Sequence, residues 1–173
     1  MSDTLRAAIR DVVDFPKKGI VFKDITPILA DGKLFSETID RLAEIARASE
    51  AKKVIGIDAR GFIFAAAVAD RLGIGMVPVR KKGKLPWKTR QVAYALEYGE
   101  AIVEVHEDAV HAGERVILID DLLATGGTAA AAVTLLRELG ADVAGLAVVI
   151  ELDFLDGRKK LDSLPVTALI NYP

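Results

Sequence analysis

The 173-residue sequence contains no cysteine and only two histidines. Without cysteine, disulfides, thiolate nucleophiles and cysteine-ligated metals are excluded. The histidines, His106 and His111, do not have the spacing of a metal-binding pair. Both fall in a charged stretch, residues 106–114, where we expect them to be exposed to solvent. The sequence therefore offers neither sulfur chemistry nor a histidine-based metal site.

A strong charge of either sign is also missing. The 23 basic side chains nearly balance the 25 acidic ones, which leaves a formal net charge of -2, so the chain as a whole lacks the field of a nucleic-acid binder. No apolar run approaches the roughly 20 residues that cross a bilayer, and Met1–Pro16 lacks the apolar core of a secretory signal. We predict a cytoplasmic protein that binds neither membranes nor nucleic acid. Any anionic ligand must then be held by local charge.

Apolar segments of strand length alternate with segments of helical periodicity. This pattern predicts an α/β fold with a central, mainly parallel sheet flanked by helices. The length favours a single domain, residues 1–173, over two domains. The predicted strands are Val54–Ile57, Gly75–Val79, Val116–Ile119 and Val143–Ile150. The predicted helices are Phe35–Arg47, Gly61–Leu72 and Thr128–Leu139, the last followed by Gly140 in a left-handed cap.

Two segments do not fit this alternation. Residues 11–33 contain Pro16, Gly19, Pro27 and Gly32 among apolar residues, which predicts an ordered, irregular N-terminal arm. Residues 80–100 have no strong period and are predicted to form a long excursion from the sheet. Long excursions in small domains often carry function.

The segment Val116–Thr128 carries the clearest functional signal. It opens with four consecutive apolar residues, which are typical of a strand buried on both faces. Asp120 and Asp121 follow at the carboxyl end, where open parallel sheets bind ligands. Gly126 and Gly127 then allow a tight turn into a helix whose first N–H groups attract an anion, and flanking threonines add hydroxyls. Acids that can bind hydroxyls beside donors for a monophosphate predict a ribose 5-phosphate site.

Other phosphate motifs fit this chain poorly. A Walker A loop requires lysine directly after its last glycine, where Thr128 stands. The dinucleotide fingerprint requires three spaced glycines, of which Gly73-Ile74-Gly75 supplies two. In the simplest interpretation the acids merely end a strand and the glycines merely cap a helix. That interpretation does not explain why strand, acids, loop and helix follow one another without interruption.

Position by position, Val116–Ala129 resembles the phosphoribosyl-pyrophosphate signature of the type I phosphoribosyltransferases. The resemblance implies that Asp120 and Asp121 bind the ribose hydroxyls and that the loop binds the 5-phosphate. The loop residues are Ala124, Thr125, Gly126, Gly127 and Thr128.

Over nearly its full length the chain resembles one branch of that family, the adenine phosphoribosyltransferases. The resemblance implies transfer of the 5-phosphoribosyl group from phosphoribosyl pyrophosphate to adenine, with AMP and pyrophosphate as products. It also implies a homodimer and Mg²⁺ as the cofactor. The ion would be held mainly through the substrate pyrophosphate and ribose, with Asp120 and Asp121 as candidate protein ligands.

Residues 14–27 carry the resemblance to the adenine-binding arm of that branch, and residues 1–33 would form a small base-binding hood. The resemblance implies that adenine stacks between Phe22 and Leu152. The backbone at Val21 and Lys23 would read the purine edge. An aromatic and an aliphatic side chain suit a flat base, since stacking contributes about 1–3 kcal/mol per base at nucleic-acid sites. Without the resemblance, Phe22 would be interpreted as a core residue.

Three segments resemble the parts of the family that handle pyrophosphate and catalysis. Asp58-Ala59-Arg60-Gly61-Phe62 resembles a pyrophosphate loop, with Arg60 as its donor. Residues 80–90 carry six basic side chains and no acid; the resemblance places Arg80, Lys81 and Lys84 on pyrophosphate, with Arg80 able to serve a neighbouring subunit. Residues 94–99 resemble the flexible catalytic loop, within residues 80–100, and imply that Glu97 is a general acid at the purine N7.

Simpler interpretations of these segments are a local salt bridge at residues 58–60, a solvated basic face and an exposed glutamate. Two rival functions also stay open. One is transfer to hypoxanthine, guanine or xanthine, against which the arm around Phe22 argues. The other is a regulator that senses phosphoribosyl pyrophosphate and binds nucleic acid, which would need a further domain or a broad basic face. A nucleotide-binding module without chemistry would not need Glu97.

Overall fold

A mixed sheet lies at the centre of the computed structural model, which describes residues 2–95 and 100–173. In chain order the strands are β1 (Arg10–Val13), β2 (Val21–Asp24), β3 (Lys53–Ile57), β4 (Gly75–Lys81), β5 (Thr89–Ala95), β6 (Glu100–His106), β7 (Arg115–Leu123), β8 (Asp142–Leu152) and β9 (Val166–Tyr172). The helices are α1 (Ser2–Ala8), α2 (Thr26–Ala30), α3 (Gly32–Ala48), α4 (Gly61–Leu72) and α5 (Gly127–Glu138). Within the described ranges, seven strands form the large sheet in the order β5-β6-β4-β3-β7-β8-β9, and β1 pairs with β2 separately.

Five neighbouring strands of this sheet are parallel, in the order β4-β3-β7-β8-β9. At one edge, β6 pairs antiparallel with both β4 and β5. Both faces of the parallel part are buried. Val116 and Leu118 pack in the cluster that includes α5, and Ile117 and Ile119 pack in the cluster that includes α3 and α4. A strand covered by helices on both sides must be apolar throughout, which is why β7 could be recognised in the sequence. The predicted α/β fold with a mainly parallel, helix-flanked sheet is confirmed.

The predicted strands and helices are present, several with longer bounds. The end of β7 differs most, because Leu122 and Leu123 still pair with β8. Asp120 and Asp121 therefore belong to the strand itself rather than to the turn after it. Gly140 has the expected left-handed backbone, with φ +86°. In residues 2–95 and 100–173, no helix has both the length and the apolar character needed to cross a membrane.

Residues 11–33 are ordered, as predicted, but the prediction that they are irregular is wrong. The segment contains β2 and α2 and overlaps the end of β1 and the start of α3. Asp31 caps α3 by accepting hydrogen bonds from the backbone of Lys33 and Leu34, at 2.9 and 3.0 Å. The strands could not be recognised because each has four residues, with apolar and polar residues in pairs rather than in alternation.

The prediction of an aperiodic excursion at residues 80–100 is also wrong in its described part. β5 pairs with β6 from Thr89 to Ala95, and residues 96–99 lie outside the described residues. His111 is exposed as predicted, but His106 is half-buried because it ends β6 opposite Thr89. A strand at the side of a sheet, with one face in water, carries too weak a pattern to be recognised in a short window.

Candidate active site

A cavity of about 260 Å³ opens where the carboxyl ends of β3 and β7 meet. The pairing of Gly56 with Ile119 sets the end of β3 beside the part of β7 where Asp120 and Asp121 begin. The turn after β3 and the acids of β7 therefore face the same space, as expected at the ligand edge of a parallel sheet. The lining consists of Ile57, Asp58, Ala59, Arg60 and the continuous run Asp120–Ala129.

Asp120, which is half-buried, and Asp121, which is buried, form a pair of carboxylates in this cavity. The Asp121 side chain is 8% exposed, and its Oδ2 lies 2.8 Å from Nε of Arg60. Burial raises the pKa of Asp120 well above its usual value, and the charge of Asp121 raises it further. Burial also raises the pKa of Asp121, while Arg60 opposes that shift. The raised pKa values indicate that the negative charge of the pair is not fully compensated, and a cation or the hydroxyls of a diol can supply the compensation.

Gly61 begins α4 directly against these acids. A Cβ at this position would lie 2.6 Å from Oδ1 of Asp120 and 3.1 Å from the carbonyl oxygen of Ile119. The glycine is therefore needed for the close approach of α4 to β7, so Gly61 allows Arg60, the residue before it, to reach Asp121.

The loop Ala124–Thr128 packs against a distant part of the chain. Gly126 has a left-handed backbone (φ +77°), and a Cβ there would lie 2.3 Å from the carbonyl oxygen of Gly157. Gly157 begins a 3-10 helix, Gly157–Lys160, and its own Cβ would lie 2.3 Å from the carbonyl oxygen of Ala124. Two glycines thus allow backbone-to-backbone contact. Gly157 was not predicted, because no local pattern connects it to the loop.

The first residues of α5 line the cavity, so the unsatisfied N–H groups and positive dipole end of this helix face it. Gly126 is the N-cap residue, and Gly127 is the first helical residue. Thr125 is exposed, whereas Thr128 is half-buried and its Oγ1 lies 3.0 Å from the hydroxyl of Tyr94 in β5. The loop combines backbone donors and hydroxyls, which is the chemistry that binds a phosphate monoester.

Phe22 lies next to Arg60 rather than in the core. It is half-buried, and its ring centroid is 5.2 Å from the guanidinium carbon of Arg60. The ring of Phe15 packs edge-on against it, with the centroids 5.2 Å apart. The aromatic side chain of the predicted adenine site is therefore connected to the cavity through Arg60.

The other residues of the predicted adenine site lie around the end of the sheet. Leu152, half-buried, ends β8 and pairs with Tyr172 of β9. The ammonium group of Lys23 lies 4.1 Å from the centroid of the Tyr172 ring and 2.7 Å from Oδ1 of Asp11. Val21 is 45% exposed. The stacking of a base between Phe22 and Leu152 stays a prediction.

An ion pair between a buried glutamate and a half-exposed arginine holds the end of β8 beside Leu152. Glu151 is 3% exposed and accepts two hydrogen bonds from Arg158, both of 2.6 Å. Asn171 of β9 donates a third, at 3.3 Å. A buried carboxylate needs such partners, so this network fixes the backbone that presents Leu152.

The predicted pyrophosphate residues of the basic segment are attached to the cavity indirectly. Nε of Arg80 lies 3.3 Å from Oδ2 of Asp58, a lining residue, and Nη1 donates to the carbonyl oxygen of Lys84 at 3.0 Å. Lys81 ends β4 and is exposed. Among the described residues, the cavity lining does not include Arg80, Lys81 or Lys84. Glu97 lies outside the described residues.

A buried acid that was not predicted holds the turn beneath these cations. Glu104 is 2% exposed, and its Oε1 accepts the backbone N–H groups of Lys84 and Leu85 at 2.9 and 3.0 Å. Burial alone would raise the pKa of Glu104, but the hydrogen bonds from Leu85, Gly83 and Lys84 outweigh it and lower the pKa. An ionised Glu104 therefore fixes the turn that carries Lys84. A single acid in an alternating strand gave no signal of this role.

The sequence of residues 27–169 matches the family model of the phosphoribosyl transferase domain. A match over most of the chain, together with the site described above, defines the class. The chain belongs to the phosphoribosyltransferase family.

The relatives narrow the family to one branch. An adenine phosphoribosyltransferase of Parafrankia sp. is 60% identical over 96% of this chain and 90% of its own length. A crystal structure of the adenine phosphoribosyltransferase of Thermoanaerobacter pseudethanolicus matches with a TM-score of 0.93 and 49% identity, over 99% of this chain and 100% of that one. The chain thus belongs to the adenine phosphoribosyltransferases.

A third relative is the adenine phosphoribosyltransferase of Saccharomyces cerevisiae, solved in complex with adenine and D-2,5-dideoxy-2,5-imino-altritol 1,6-bisphosphate. It matches with a TM-score of 0.92 and 41% identity, over 97% of this chain and 97% of that one.

Replacing Asp120 by asparagine should stabilise the protein at neutral pH. The raised pKa of Asp120 means that the folded protein holds this proton more tightly than the unfolded chain, whose aspartate pKa is near 3.8. Stability is therefore lost as the pH rises from that value through the folded pKa. Asp120→Asn should therefore raise the free energy of unfolding at pH 7, because the amide brings no charge into this site. Urea denaturation measures it.

The gain should shrink when the same denaturation is run below about pH 4, where both states of the unsubstituted protein carry the proton. Equal or lower stability of Asp120→Asn at pH 7 would contradict the assignment of a strained carboxylate pair.

Gly126→Ala should weaken phosphate binding far more than a matched substitution elsewhere. Gly113 also has a left-handed backbone (φ +79°), but nothing lies within 4 Å of a Cβ built there. Both alanines carry the left-handed strain of about 1–2 kcal/mol, whereas only the one at Gly126 pushes the loop from Gly157. We expect the dissociation constant for ribose 5-phosphate to rise about ten-fold or more in Gly126→Ala and to stay unchanged in Gly113→Ala. Calorimetric titration compares them, and equal effects would contradict the role of the close contact.

Proposed function

We propose that the protein transfers the 5-phosphoribosyl group from phosphoribosyl pyrophosphate to adenine, forming AMP and pyrophosphate. One observation carries the proposal: the acid pair Asp120-Asp121, the anion-binding loop Ala124–Thr128 and Arg60 surround a single cavity. The acids match a sugar diol, the loop matches a monophosphate, and the guanidinium matches a second anionic group. A donor that carries all three fits this arrangement, and the relatives named above support adenine as the acceptor.

In this proposal the donor is held at both ends. Asp120 and Asp121 accept hydrogen bonds from the ribose hydroxyls, and the backbone of Ala124–Thr128 binds the 5-phosphate at the start of α5. Arg60 binds the pyrophosphate, together with Arg80, Lys81 and Lys84 from the basic segment. Adenine stacks between Phe22 and Leu152, and the backbone of Val21 and Lys23 reads its edge. The contact between Arg60 and Phe22 supports a base site adjoining the donor site.

Catalysis requires stabilisation of a sugar that becomes positively charged as pyrophosphate departs. The ionised acids face the ribose, and the cations neutralise the leaving group. We assign Glu97 as the general acid that meets the purine N7 while the bond between N9 and C1′ forms. Exclusion of water from the cavity would limit hydrolysis of the donor.

Mg²⁺ fits the residues present as an ion carried mainly by the substrate. In residues 2–95 and 100–173, no group of three or more histidine, cysteine, aspartate or glutamate side chains could hold a metal. Asp120 and Asp121 offer hard oxygen ligands, and Mg²⁺ is commonly bound by one or two carboxylates plus substrate phosphates. When bound, the ion would neutralise charge on the pyrophosphate.

We further propose one domain over residues 1–173, with residues 1–33 as a base-binding hood and residues 80–100 as the catalytic segment. A cytoplasmic homodimer, in which Arg80 serves the neighbouring subunit, follows the same family pattern. Exposed apolar side chains in the hood, among them Val13 at 68% and Phe15 at 51%, support a contact surface there.

The purine base can be identified by direct assay. The protein is incubated with phosphoribosyl pyrophosphate, Mg²⁺ and adenine, hypoxanthine, guanine or xanthine in turn, and nucleotide formation is followed by chromatography. We expect AMP from adenine and at least about 100-fold less nucleotide from each other base. A site that forms hydrogen bonds to the edge of adenine leaves some of its polar groups without a partner when a different purine binds. Absence of AMP would refute the proposed reaction.

The substitution Glu97→Gln tests whether the protein is an enzyme or a nucleotide-binding module without chemistry. Loss of a general acid should lower turnover by about 100-fold or more, while the dissociation constant for phosphoribosyl pyrophosphate stays within about two-fold. Glu100→Gln provides a neighbouring control, since Glu100 is an exposed residue of β6. Unchanged turnover in Glu97→Gln would remove the catalytic assignment.

A further inference from the structure

We propose that Tyr94 is a positioning residue of the phosphate site, whose hydroxyl orients the hydroxyl of Thr128 toward the 5-phosphate of the donor. The inference rests on the proposed function, which places that phosphate on the loop Ala124–Thr128. Tyr94 belongs to a different part of the sheet from the loop, and nothing in the loop motif itself points to it.

The contact between β5 and the start of α5 is made by this tyrosine. The hydroxyl of Tyr94 lies 3.0 Å from Oγ1 of Thr128. The ring packs beside the preceding residue, since a Cβ built at Gly127 would be 3.4 Å from Cδ2 of Tyr94 and 3.6 Å from the carbonyl oxygen of Ala95. Tyr94 is also half-buried against the core cluster that contains α5. Its ring is thereby fixed in place, so the hydroxyl is presented to Thr128 in one position.

The chemistry of hydroxyls gives this contact a direction when phosphate is present. A hydroxyl donates one proton and can also accept, whereas the oxygens of a phosphate dianion only accept. Thr128 must therefore donate its proton to the phosphate, and Tyr94 must donate to Oγ1 of Thr128. Hydrogen bonds in such a chain polarise one another, so the bond to the phosphate is strengthened. The tyrosine also holds Thr128 in the rotamer that the chain requires.

The substitution Tyr94→Phe keeps the ring and removes the hydroxyl. We expect the dissociation constant for ribose 5-phosphate, measured by calorimetric titration, and the KM for phosphoribosyl pyrophosphate each to rise about five-fold, as for loss of one hydrogen bond. The KM for adenine and kcat should each change less than about two-fold. Unchanged binding of ribose 5-phosphate in this variant would overturn the proposal.

A double-mutant cycle distinguishes orientation of Thr128 from a general packing role. In a Thr128→Val background, Tyr94→Phe should have no further effect on ribose 5-phosphate binding, because the hydroxyl that it orients is gone. In Thr128→Ser, which keeps the hydroxyl, the five-fold effect should persist. Thr134→Val is the matched control: Thr134 lies on the same helix, and its hydroxyl bonds to the carbonyl oxygen of Ala130 at 3.0 Å. The effect of Tyr94→Phe should persist there too.

An equal effect of Tyr94→Phe with and without the Thr128 hydroxyl would overturn the proposal and assign Tyr94 a packing role. The unsubstituted protein separates this outcome from failure of the proposed function. If it forms AMP while Tyr94→Phe binds ribose 5-phosphate normally, this inference alone is wrong. If it neither forms AMP nor binds ribose 5-phosphate, the proposed function is wrong and the inference falls with it.

Discussion

The parallel pairing of β3 with β7 is the interaction on which the site depends. It sets Gly56 beside Ile119, so that the chain leaves both strands at the same edge of the sheet. The turn after β3 can then contact the acids at the end of β7. The contact is possible because Gly61 has no side chain: any Cβ would collide with Asp120. A shift of one residue in this pairing would turn the side chains of β7 to the opposite faces and separate the acids from Arg60.

The negative charges of the two acids in the cavity are unfavourable, and a ligand that compensates them would relieve this. Asp120 and Asp121 are adjacent in sequence, and burial raises the pKa of both. Arg60 offsets part of the repulsion through its contact with Asp121. Two other buried acids have their charge compensated within the protein. Arg158 donates hydrogen bonds to Glu151, and backbone N–H groups donate to Glu104. The pair in the cavity is left incompletely neutralised, which is typical of sites where stability is given up for binding.

The parts that the sequence predicted are those determined by neighbours along the chain. β7, the acids, the loop and the start of α5 follow one another without interruption, so the apolar run and the glycines report on a single local structure. Helix α4 was predicted with its observed bounds, Gly61–Leu72, for the same reason. The short strands of the N-terminal segment could not be recognised, because each has only four residues and their apolar and polar side chains do not alternate.

The parts that could not be predicted depend on contacts between distant segments. Gly157 matters because its backbone lies against Ala124, and Glu104 matters because it accepts N–H groups from the turn at Lys84. Each is an ordinary residue in its own neighbourhood. Their positions in space give these residue types their roles, and no local window of the sequence contains that information.

The contacts of Arg60 mean that the two predicted subsites are not independent. Its Nε lies 2.8 Å from Asp121, and its guanidinium carbon lies 5.2 Å from the centroid of Phe22. One cation therefore interacts with both the carboxylate proposed to bind ribose and the ring proposed to stack on adenine. A guanidinium donates hydrogen bonds from its edge and contacts an aromatic ring through its face, so Arg60 makes both contacts at the same time. A displacement of Arg60 would therefore alter both contacts, because this one side chain connects the cavity to the ring of Phe22.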